Sequence, residues 1–428
     1  MRIAIVALGS RGDLQPYIAL SIGLKRAGHQ ILLISSENEE AFVKGFNLDF
    51  HPLPVNIQAM MDDQRVQSMA KADSPISFFR SHLRSSAQLK RKMVAVQDEI
   101  WQACQEVDAL VYHPGMANGY FMAKRLGIPG ILASYFPMTS TNAFPSILFY
   151  GGPRLGGWYN KLTHWVFEQL FWQLSRPSAK AFWRTKDPSV RIPFMPVSRL
   201  QLAEGNLLLY GFSENVFPKP ADWPENAVVT GYWPLEAEPN WQPPLALQQF
   251  LADGPPPVYI GFGSMTNKAA YQQTMLVVLD AVAMAKQRAV VALGWNVLDA
   301  DTHLPTTVHV LENAPHAWLF PRMAAVVHHG GAGTTAAGLI AGKPTVIIPH
   351  TADQPAWGRR VHELGVGSAP IPYKKLTAET LAAALSAALQ PDVVQRAAQL
   401  GESLRREQGV IRAVEVIQSY LRVSQTVS

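Results

Sequence analysis

Short, continuous apolar runs alternate with segments of helical spacing along the first part of the chain. The runs lack regular polar positions, which predicts strands buried on both faces. The segments between them carry apolar residues three or four positions apart, which predicts helices. The predicted strands are Arg2–Leu8, Gln30–Ser35, Asp108–His113 and Gly130–Ser134, and the predicted helices are Pro16–Ala27 and Met116–Leu126. This alternation indicates a parallel sheet covered by helices.

The alternation restarts after a proline-rich stretch, 218–257, that reads as an interdomain connection. The predicted strands that follow are Val258–Gly261, Ala289–Leu293, Val308–Leu311, Ala324–His328 and Pro344–Ile348. The predicted helices are Tyr271–Lys286, Thr334–Ala341, Gln354–Leu364 and a final helical stretch, Val393–Leu421. Two such arrays predict an α/β protein of two doubly wound domains with a cleft between them.

The segment Tyr135–Trp183 is rich in aromatic residues, and Trp158–Leu174 has the spacing of an amphipathic helix. Ordinary core packing explains most of these rings. Some of them could line a broad apolar ligand pocket. A helix lying on a membrane surface is a third interpretation, which the scarcity of Lys and Arg disfavours.

Composition limits the class of protein. The chain has 428 residues, 48% hydrophobic and 16% charged, which excludes disorder and favours two domains. A net charge of +5 suits anionic ligands but is far short of a nucleic-acid-binding surface. Cys104 is the only cysteine, so an intrachain disulfide framework and multi-cysteine metal sites are excluded. The charged stretch Arg80–Lys92 is interpreted as the solvated face of a long helix.

The expected location follows from the same composition. No apolar run reaches the roughly 18–20 residues of a membrane span. Met1–Leu8 is too short for a signal-peptide core. We therefore expect a cytoplasmic protein, with at most weak peripheral contact with a membrane surface and no nucleic-acid partner. The sequence indicates no particular oligomeric state.

Three predicted strands end in residues suited to bind a ligand, because ligands of open α/β sheets lie beyond the carboxyl ends of the strands. These ends are Gly9–Asp13, Gly261–Ser264 and His328–Thr335. None has the GxGxxG spacing of a dinucleotide site or the spacing of a P-loop. A nicotinamide oxidoreductase is therefore disfavoured.

The third strand end is the most informative, since two histidines and three glycines precede a predicted helix that opens with two threonines. Small residues let a ligand approach the backbone, and the start of the helix offers N–H groups and a positive dipole end to an anion. Thr334 or Thr335 could cap the helix or contact phosphate, and His329 could donate to phosphate. The alternative is a plain glycine-rich turn with capping threonines. A diphosphate held in this way needs no metal.

Three segments that contain acidic residues have two interpretations each. Asp13, at the end of the first strand, could be a general base or a helix N-cap. Asp353 and Gln354 follow another strand and could bind a polyhydroxy ligand, although Asp353 also suits an N-cap. Asp299 and Asp301 form a DxD sequence of the kind that holds a divalent metal in some sugar-nucleotide enzymes, but no further ligand is near in sequence, so we interpret it as a turn.

Several of these segments resemble family 1 glycosyltransferases of GT-B fold. The donor-binding signature of UDP-sugar-dependent enzymes is similar to three segments of this chain, which are His329–Leu339, Ala341–Pro344 and Asp353–Val361. Asn313–Leu319 resembles the segment that packs on the base in that family. Gly9–Pro16 is similar to the amino-terminal loop of the sterol 3-beta-glucosyltransferase branch. Glycopeptide-antibiotic glycosyltransferases have a similar loop.

The resemblance implies a domain plan and an activity. It implies an acceptor-binding domain over 1–233, a linker over 234–256, a nucleotide-sugar donor-binding domain over 257–400 and a helix over 401–428 that returns toward the first domain. The expected activity is inverting transfer of a hexose, glucose from UDP-glucose, to the 3β-hydroxyl of a sterol. UDP-sugar is then a substrate, and neither a prosthetic group nor a metal is expected.

The resemblance also implies roles for residues. Asp13 would be the catalytic base or orient the acceptor hydroxyl. The implied donor-binding residues are Ser10, Arg11, Gly12, Ser264, Ala314, His316, His329, Gly331, Ala332, Gly333, Thr334, Asp353 and Gln354. The expected acceptor pocket comprises His113, Tyr135, Phe136, Phe144 and Trp158. His113 could approach Asp13 or be an ordinary packed histidine.

Two positions depart from the plant members of that family. Asn313 replaces a tryptophan that stacks on uracil, and Ala337 replaces a glutamate that binds ribose. We therefore expect a nucleoside diphosphate more firmly than we expect UDP in particular. A polyketide, triterpenoid or flavonoid acceptor stays open beside a sterol. Two other functions stay open as well. One is a nucleotide-sugar epimerase, which the aromatic segment disfavours. The other is a non-catalytic sugar-nucleotide-binding helper protein, which is disfavoured by the presence of Asp13, His329, Asp353 and Gln354.

Overall fold

The computed structural model describes residues 1–56, 87–262, 268–293 and 304–427. The chain divides into two compact units. Unit 1 comprises Met1–Trp233 and Gln408–Ser428, and unit 2 comprises Pro234–Glu407. Each is a parallel α/β domain, which confirms the fold class expected from the alternating strands and helices.

The sheet of unit 1 has seven strands within the described ranges, and all neighbouring strands are parallel. They are β1 (Arg2–Val6), β2 (Gln30–Ser36), β3 (Asp49–Leu53), β4 (Ala109–Tyr112), β5 (Gly130–Ser134), β6 (Leu208–Tyr210) and β7 (Ala227–Val229). Their order in the sheet is β3-β2-β1-β4-β5-β6-β7. Ile3, Ala4 and Ile5 of β1 are fully buried, as expected of a strand covered on both faces.

Helices cover this sheet. They are α1 (Arg11–Arg26), α2 (Glu40–Lys44), α3 (Ala87–Ala103), α4 (Gly119–Leu126), α5 (Gly157–Lys186) and α6 (Val197–Ala203). The long α5 buries Phe167, Trp172, Phe182 and Trp183, so much of the aromatic segment is core, as its ordinary interpretation predicts. Trp183 donates through Nε1 to Oδ1 of the buried Asn118 at 2.7 Å, which satisfies the polar edge of a buried indole.

Unit 2 contains a second parallel sheet. Its described strands are β8 (Val258–Gly261), β9 (Ala289–Ala292), β10 (Val308–Leu311), β11 (Val326–His328) and β12 (Thr345–Ile347), in the order β10-β9-β8-β11-β12. Its described helices are α7 (Leu245–Ala252), α8 (Lys268–Met284), α9 (His316–Leu319), α10 (Ala332–Ile340), α11 (Gln354–Glu363), α12 (Ala378–Ala388) and α13 (Pro391–Arg406). Apolar residues of the strands pack with α8 and α12 on one face and with α7, α9 and Phe320 on the other.

The end of the chain differs from the single helical stretch expected over Val393–Leu421. Helix α13 ends at Arg406, and α14 (Gly409–Val427) begins after Gln408, whose φ is 52°. Residues 401–407 therefore stay with unit 2, and α14 belongs to unit 1. There α14 packs closely on α1, since a Cβ added to Gly23 would lie 2.6 Å from Cγ1 of Val410.

The expected linker, 234–256, is also part of unit 2. It is more ordered than its prolines suggested, because Pro244 is the N-cap of α7 and Leu247 of that helix is fully buried. Proline suits the start of a helix, where its missing N–H has no partner to lose.

Among the described residues, no helix combines the length and the hydropathy required to cross a bilayer.

Candidate functional site

The sheet of unit 1 changes direction between β1 and β4. From β1 the chain moves outward to β2 and β3, and it then returns to the other side of β1 with β4 and β5. Such a switch point leaves a crevice beyond the carboxyl ends of the two strands, where ligands of open α/β sheets bind. Val6 pairs with Tyr112 there, so the residues that follow these two strands lie at the same edge.

Asp13 lies at this edge, in the first turn of α1. Its Oδ2 accepts hydrogen bonds from the backbone N–H and the hydroxyl of Ser10, both at 2.8 Å. Its Oδ1 accepts a hydrogen bond from the hydroxyl of Tyr135 at 2.6 Å. Ser10 is the N-cap of the helix and Asp13 is the third helical residue, so the simple N-cap alternative for Asp13 is replaced by a capping box. The carboxylate is thus held in one orientation from both sides.

Gly9 makes this arrangement possible. A Cβ added at Gly9 would lie 2.6 Å from both Cβ and Oδ2 of Asp13, and its φ of 154° disfavours other residues. The glycine at the end of the first strand therefore brings the backbone directly against the carboxylate.

His113 follows β4 and lies in the same cluster. Its ring centroid is 5.9 Å from that of Tyr135 and 5.8 Å from that of Tyr17. Its Nδ1 accepts a hydrogen bond from the backbone N–H of Gly115 at 3.0 Å. Burial lowers the pKa of His113 to about 4, although the Asp13 carboxylate acts in the opposite direction. The imidazole is therefore neutral at physiological pH.

The expected acceptor residues fall into separate groups. Phe136 packs edge-on against Tyr135 and Phe167, next to the Asp13 cluster. Phe144 instead contacts Tyr150, His164 and Phe217. Trp158 lies at the surface of unit 1 with 78% of its side chain exposed. The structure thus brings together His113, Tyr135 and Phe136 and leaves Phe144 and Trp158 outside that cluster.

The loop residues beside Asp13 have different surroundings. Ser10 and Gly12 lie at the amino end of α1, and Ser10 bonds to Asp13. The guanidinium of Arg11 lies 3.8 Å from the ring centroid of Phe42. Arg11 thus packs on its own unit through a cation–π contact.

Unit 2 has a second switch point, between β8 and β11. Val326, Val327 and His328 of β11 pair with Tyr259, Ile260 and Gly261 of β8, and β9 and β10 extend on the far side of β8. Helix α10 begins directly after β11, so its first N–H groups lie at the carboxyl edge of the sheet. The helix opens at Ala332 with Gly331 as N-cap, two residues earlier than the sequence predicted.

This earlier start corrects the expected role of the threonines. Thr335 is buried and its hydroxyl donates to the carbonyl of Gly331 at 2.9 Å, so it bonds back along the helix and does not cap it. Thr334 is the third helical residue, within the turn whose N–H groups lack carbonyl partners.

Glycines close the turn before α10. A Cβ on Gly330 would lie 2.7 Å from Cγ2 of Ile347 and 3.1 Å from the carbonyl oxygen of Gln354, and its φ is 95°. A Cβ on Gly331 would lie 2.7 Å from Nε2 of His329. The imidazole of His329 therefore lies directly at the amino end of α10, as its expected diphosphate contact requires.

Asp353 and Gln354 lie beside the same turn, since Gln354 contacts Gly330. The amide oxygen of Gln354 accepts hydrogen bonds from the backbone N–H groups of His350 and Thr351, at 2.8 and 3.1 Å. Asp353 is the N-cap residue of α11, and its Oδ2 accepts a hydrogen bond from Nε1 of Trp357 at 2.7 Å. These contacts hold both side chains in place.

The expected base-binding residues lie at the start of α9, on the face of the sheet that packs with α7 and Phe320. His316 begins α9 and stacks on Phe320 with ring centroids 4.2 Å apart, and Ala314 is partly buried beside the same cluster. Ser264 and the DxD residues Asp299 and Asp301 lie outside the described residues.

The sequence analysis assigned no role to three residues of these edges. Tyr17 contacts His113 and Tyr135, and its hydroxyl donates to the carbonyl of Ala133. His328 is fully buried, and burial together with His329 lowers its pKa well below the usual value. His350 stacks on Tyr373 with centroids 4.3 Å apart. The signal for His350 was available, because it follows the predicted strand Pro344–Ile348 as Asp353 does.

In the part of the chain that the structure describes, no group of three or more His, Cys, Asp or Glu residues is placed to hold a metal ion.

Two family models match separate stretches of the chain. The glycosyltransferase family 28 N-terminal domain matches residues 3–145. The erythromycin biosynthesis protein CIII-like C-terminal domain matches residues 276–408. The first model covers the Asp13 cluster and the second covers the turn before α10.

Solved structures share the whole fold. The glycosyltransferase of kitacinnamycin superposes with a TM-score of 0.69 at 22% identity, over 98% of this chain and 99% of its own. The Streptomyces glycosyltransferase SsfS6 in complex with thymidine diphosphate gives 0.62 at 19% identity, over 98% and 99%. These identities establish the GT-B fold alone.

Curated relatives are more similar in sequence. The chain is 35% identical to a sterol 3-beta-glucosyltransferase of Emericella nidulans over 100% of its own length, which is 30% of the fungal protein. It is 34% identical to a sterol 3-beta-glucosyltransferase of Arabidopsis thaliana over 98% of its length and 68% of the plant protein. The chain thus spans about a third of fungal relatives and about two thirds of the plant one. This similarity, which extends over both units, places the chain in the sterol 3-beta-glucosyltransferase family of the GT-B glycosyltransferases.

Proposed function

We propose that the chain transfers a hexose from a nucleotide sugar to the hydroxyl of a hydrophobic acceptor. The proposed donor is UDP-glucose, and the proposed acceptor group is the 3β-hydroxyl of a sterol. The observation that carries the proposal is the amino end of α10, which opens at the switch point of unit 2 with a glycine turn and the His329 ring beside it. Family membership supports the same chemistry.

The diphosphate of the donor binds at the amino end of α10. The N–H groups of Ala332, Gly333 and Thr334 lie in the first turn and have no carbonyl partner four residues earlier in the helix. They and the helix dipole offset the charge of the diphosphate, and His329 adds a donor. Gly331 leaves room for the phosphate oxygens because it has no side chain.

The hexose lies against the start of α11. Asp353 and Gln354 are fixed there by Trp357 and by the backbone of residues 350–351. A carboxylate and an amide nitrogen held in place suit hydrogen bonds to vicinal sugar hydroxyls. The base of the nucleotide lies near Ala314 and His316, where backbone groups contact it.

Asp13 is the general base. Each carboxylate oxygen has two lone pairs, and Oδ1 uses one for the Tyr135 hydroxyl. The acceptor hydroxyl donates to the remaining one. As its oxygen bonds to the anomeric carbon, its proton passes to Asp13, and the bond from that carbon to the diphosphate oxygen breaks. The electron pair leaves on the diphosphate, so an α-linked donor gives a β-glycoside.

Charge that grows on the leaving diphosphate is stabilised by groups already in place. The amino end of α10 and His329 need no rearrangement at the moment of reaction, which is the condition for effective electrostatic catalysis. The step therefore draws on the same groups that bind the donor.

The nucleoside has a second candidate. Asn313 and Ala337 depart from the uracil and ribose contacts of plant members, and the SsfS6 structure holds thymidine diphosphate. Thymidine diphosphate sugars are therefore the alternative donors. Calorimetric titration with UDP and with thymidine diphosphate separates the two, and the proposal expects tighter binding of UDP.

The test is a screen of hydroxylated acceptors with UDP-glucose and with thymidine diphosphate glucose. A 3β-hydroxysterol, a triterpenoid, a flavonoid and a polyketide represent the acceptor classes. We expect the sterol to gain one hexosyl group by mass spectrometry, with a β-anomeric coupling by NMR. Donor binding without transfer to any acceptor would identify a helper protein, and conversion of the nucleotide sugar without acceptor would identify an epimerase.

A further inference from the structure

His113 carries a buried polar atom that the proposed function does not use. Its Nδ1 accepts the hydrogen bond from the Gly115 backbone, so in the neutral ring the proton is on Nε2. Nε2 is buried and has no hydrogen-bond partner among the described residues. A buried donor without an acceptor costs free energy, which is unusual in a native protein and calls for an explanation.

The position of this donor indicates the explanation. His113 follows β4 at the switch point of unit 1, and its ring lies beside that of Tyr135, whose hydroxyl bonds to Asp13. Because Nδ1 faces the backbone of its own loop, Nε2 lies on the opposite side of the ring. Both the His113 ring and the Asp13 carboxylate contact Tyr135, so the two groups lie in one cluster.

We propose that the Nε2–H of His113 donates a hydrogen bond to the oxygen of the acceptor hydroxyl. This inference rests on the proposed function. The hydroxyl then accepts from His113 while it donates to Oδ1 of Asp13. The two contacts fix the direction of its O–H bond and leave its second lone pair for attack on the anomeric carbon.

His113 keeps its proton throughout. Burial keeps the ring neutral, so it has no second proton to give, and Asp13 is the group that receives the acceptor proton. His113 therefore acts as a hydrogen-bond donor that selects a hydroxyl, and it does not act as a second base. The structural alternative is an imidazole that only packs edge-on against Tyr17.

The test compares three substitutions. His113→Phe keeps an aromatic ring without the donor, and His113→Gln places an amide N–H near the position of Nε2. His29→Phe is the matched control, because His29 precedes β2 at the opposite, amino-terminal edge of the sheet of unit 1. Each variant is assayed for transfer to a 3β-hydroxysterol, for UDP affinity, for binding of the 3-deoxysterol and for thermal unfolding.

We expect His113→Phe to lower kcat by about 10- to 100-fold, the effect of losing one donor to a reacting oxygen. UDP affinity and affinity for the 3-deoxysterol stay at the wild-type level. His113→Gln recovers part of the rate, and His29→Phe leaves it unchanged.

Two results would overturn the inference. One is a His113→Phe enzyme that transfers at the wild-type rate. The other is a loss of transfer rate that His113→Gln does not recover and that is accompanied by a lower melting temperature. Such a result would show that His113 acts through packing alone. A wild-type protein that binds UDP but glycosylates no acceptor would overturn the proposed function itself, and with it this inference.

Discussion

Replacing Asp13 by Asn separates the chemistry of the carboxylate from its structural role. In the variant the amide oxygen can take the place of Oδ2 and accept from the N–H and hydroxyl of Ser10. The amide nitrogen can take the place of Oδ1 and donate to the hydroxyl oxygen of Tyr135. The hydrogen bonds of the capping box are therefore retained, while the ability to accept a proton is lost.

The expected magnitudes follow from these contacts. Loss of a positioned base costs about 100- to 10,000-fold in kcat. This corresponds to roughly 2.7–5.5 kcal/mol of barrier. The helix loses a negative charge in its first turn, which costs about 0.3–1 kcal/mol of stability. The melting temperature of a domain of this size then falls by less than about 4 °C.

The assay measures single-turnover transfer, UDP affinity and thermal unfolding of the variant. Asp392→Asn is the control, since it makes the same change in the first turn of α13, where the exposed Asp392 bonds to Arg396 at 2.7 Å. We expect the control to keep the wild-type rate. Transfer by Asp13→Asn within threefold of wild type would refute the assignment of the base, and loss of UDP affinity in that variant would show that the substitution acts through the fold.

Three further predictions concern other parts of the structure. His329→Ala should weaken UDP binding about 10- to 100-fold by calorimetry, the value of a hydrogen bond to a charged group, and unchanged affinity would remove His329 from the donor site. Gly9→Ala should lower kcat and stability together, by about 1–3 kcal/mol in chemical unfolding, because its Cβ would lie 2.6 Å from Asp13; a variant that melts and turns over like wild type would contradict this contact. Burial raises the pKa of Cys104 to about 12, so its thiol should react with a disulfide reagent at pH 8 far more slowly in the folded protein than in urea, and equal rates would contradict its burial.

The elements that the sequence predicted well are long or strongly apolar. The limits of Gly130–Ser134, Val258–Gly261 and Val308–Leu311 agree with the structure, because continuous apolar runs between glycines, prolines or polar residues mark a buried parallel strand. The strands β3, β6 and β7 were missed. Polar residues and a proline interrupt β3, and β7 lies within the proline-rich stretch that was interpreted as an interdomain connection.

The strand-end rule located most of the candidate site. It identified the two edges that carry Asp13 and His329, because glycine and polar residues directly after an apolar run are visible in the sequence. It could not give the partners of Asp13. Tyr135 is 122 positions away in sequence, and its contact with Oδ1 depends on the neighbouring places of β1, β4 and β5 in the sheet.

Aromatic composition alone does not distinguish core positions from surface positions. Trp158 and Phe167 both lie on α5, yet Trp158 is exposed and Phe167 is fully buried. The side of a helix on which a residue lies is set by the elements packed against it. Phe136 packs against Tyr135, which it directly follows in sequence after β5.

The most direct test of the account is a crystal structure of the chain with bound UDP-glucose. We expect the diphosphate against the first turn of α10, with its oxygens within about 2.7–3.2 Å of backbone N–H groups of residues 332–334 and with His329 beside it. A diphosphate bound at any other part of the chain, with the amino end of α10 closed by its own side chains, would contradict it.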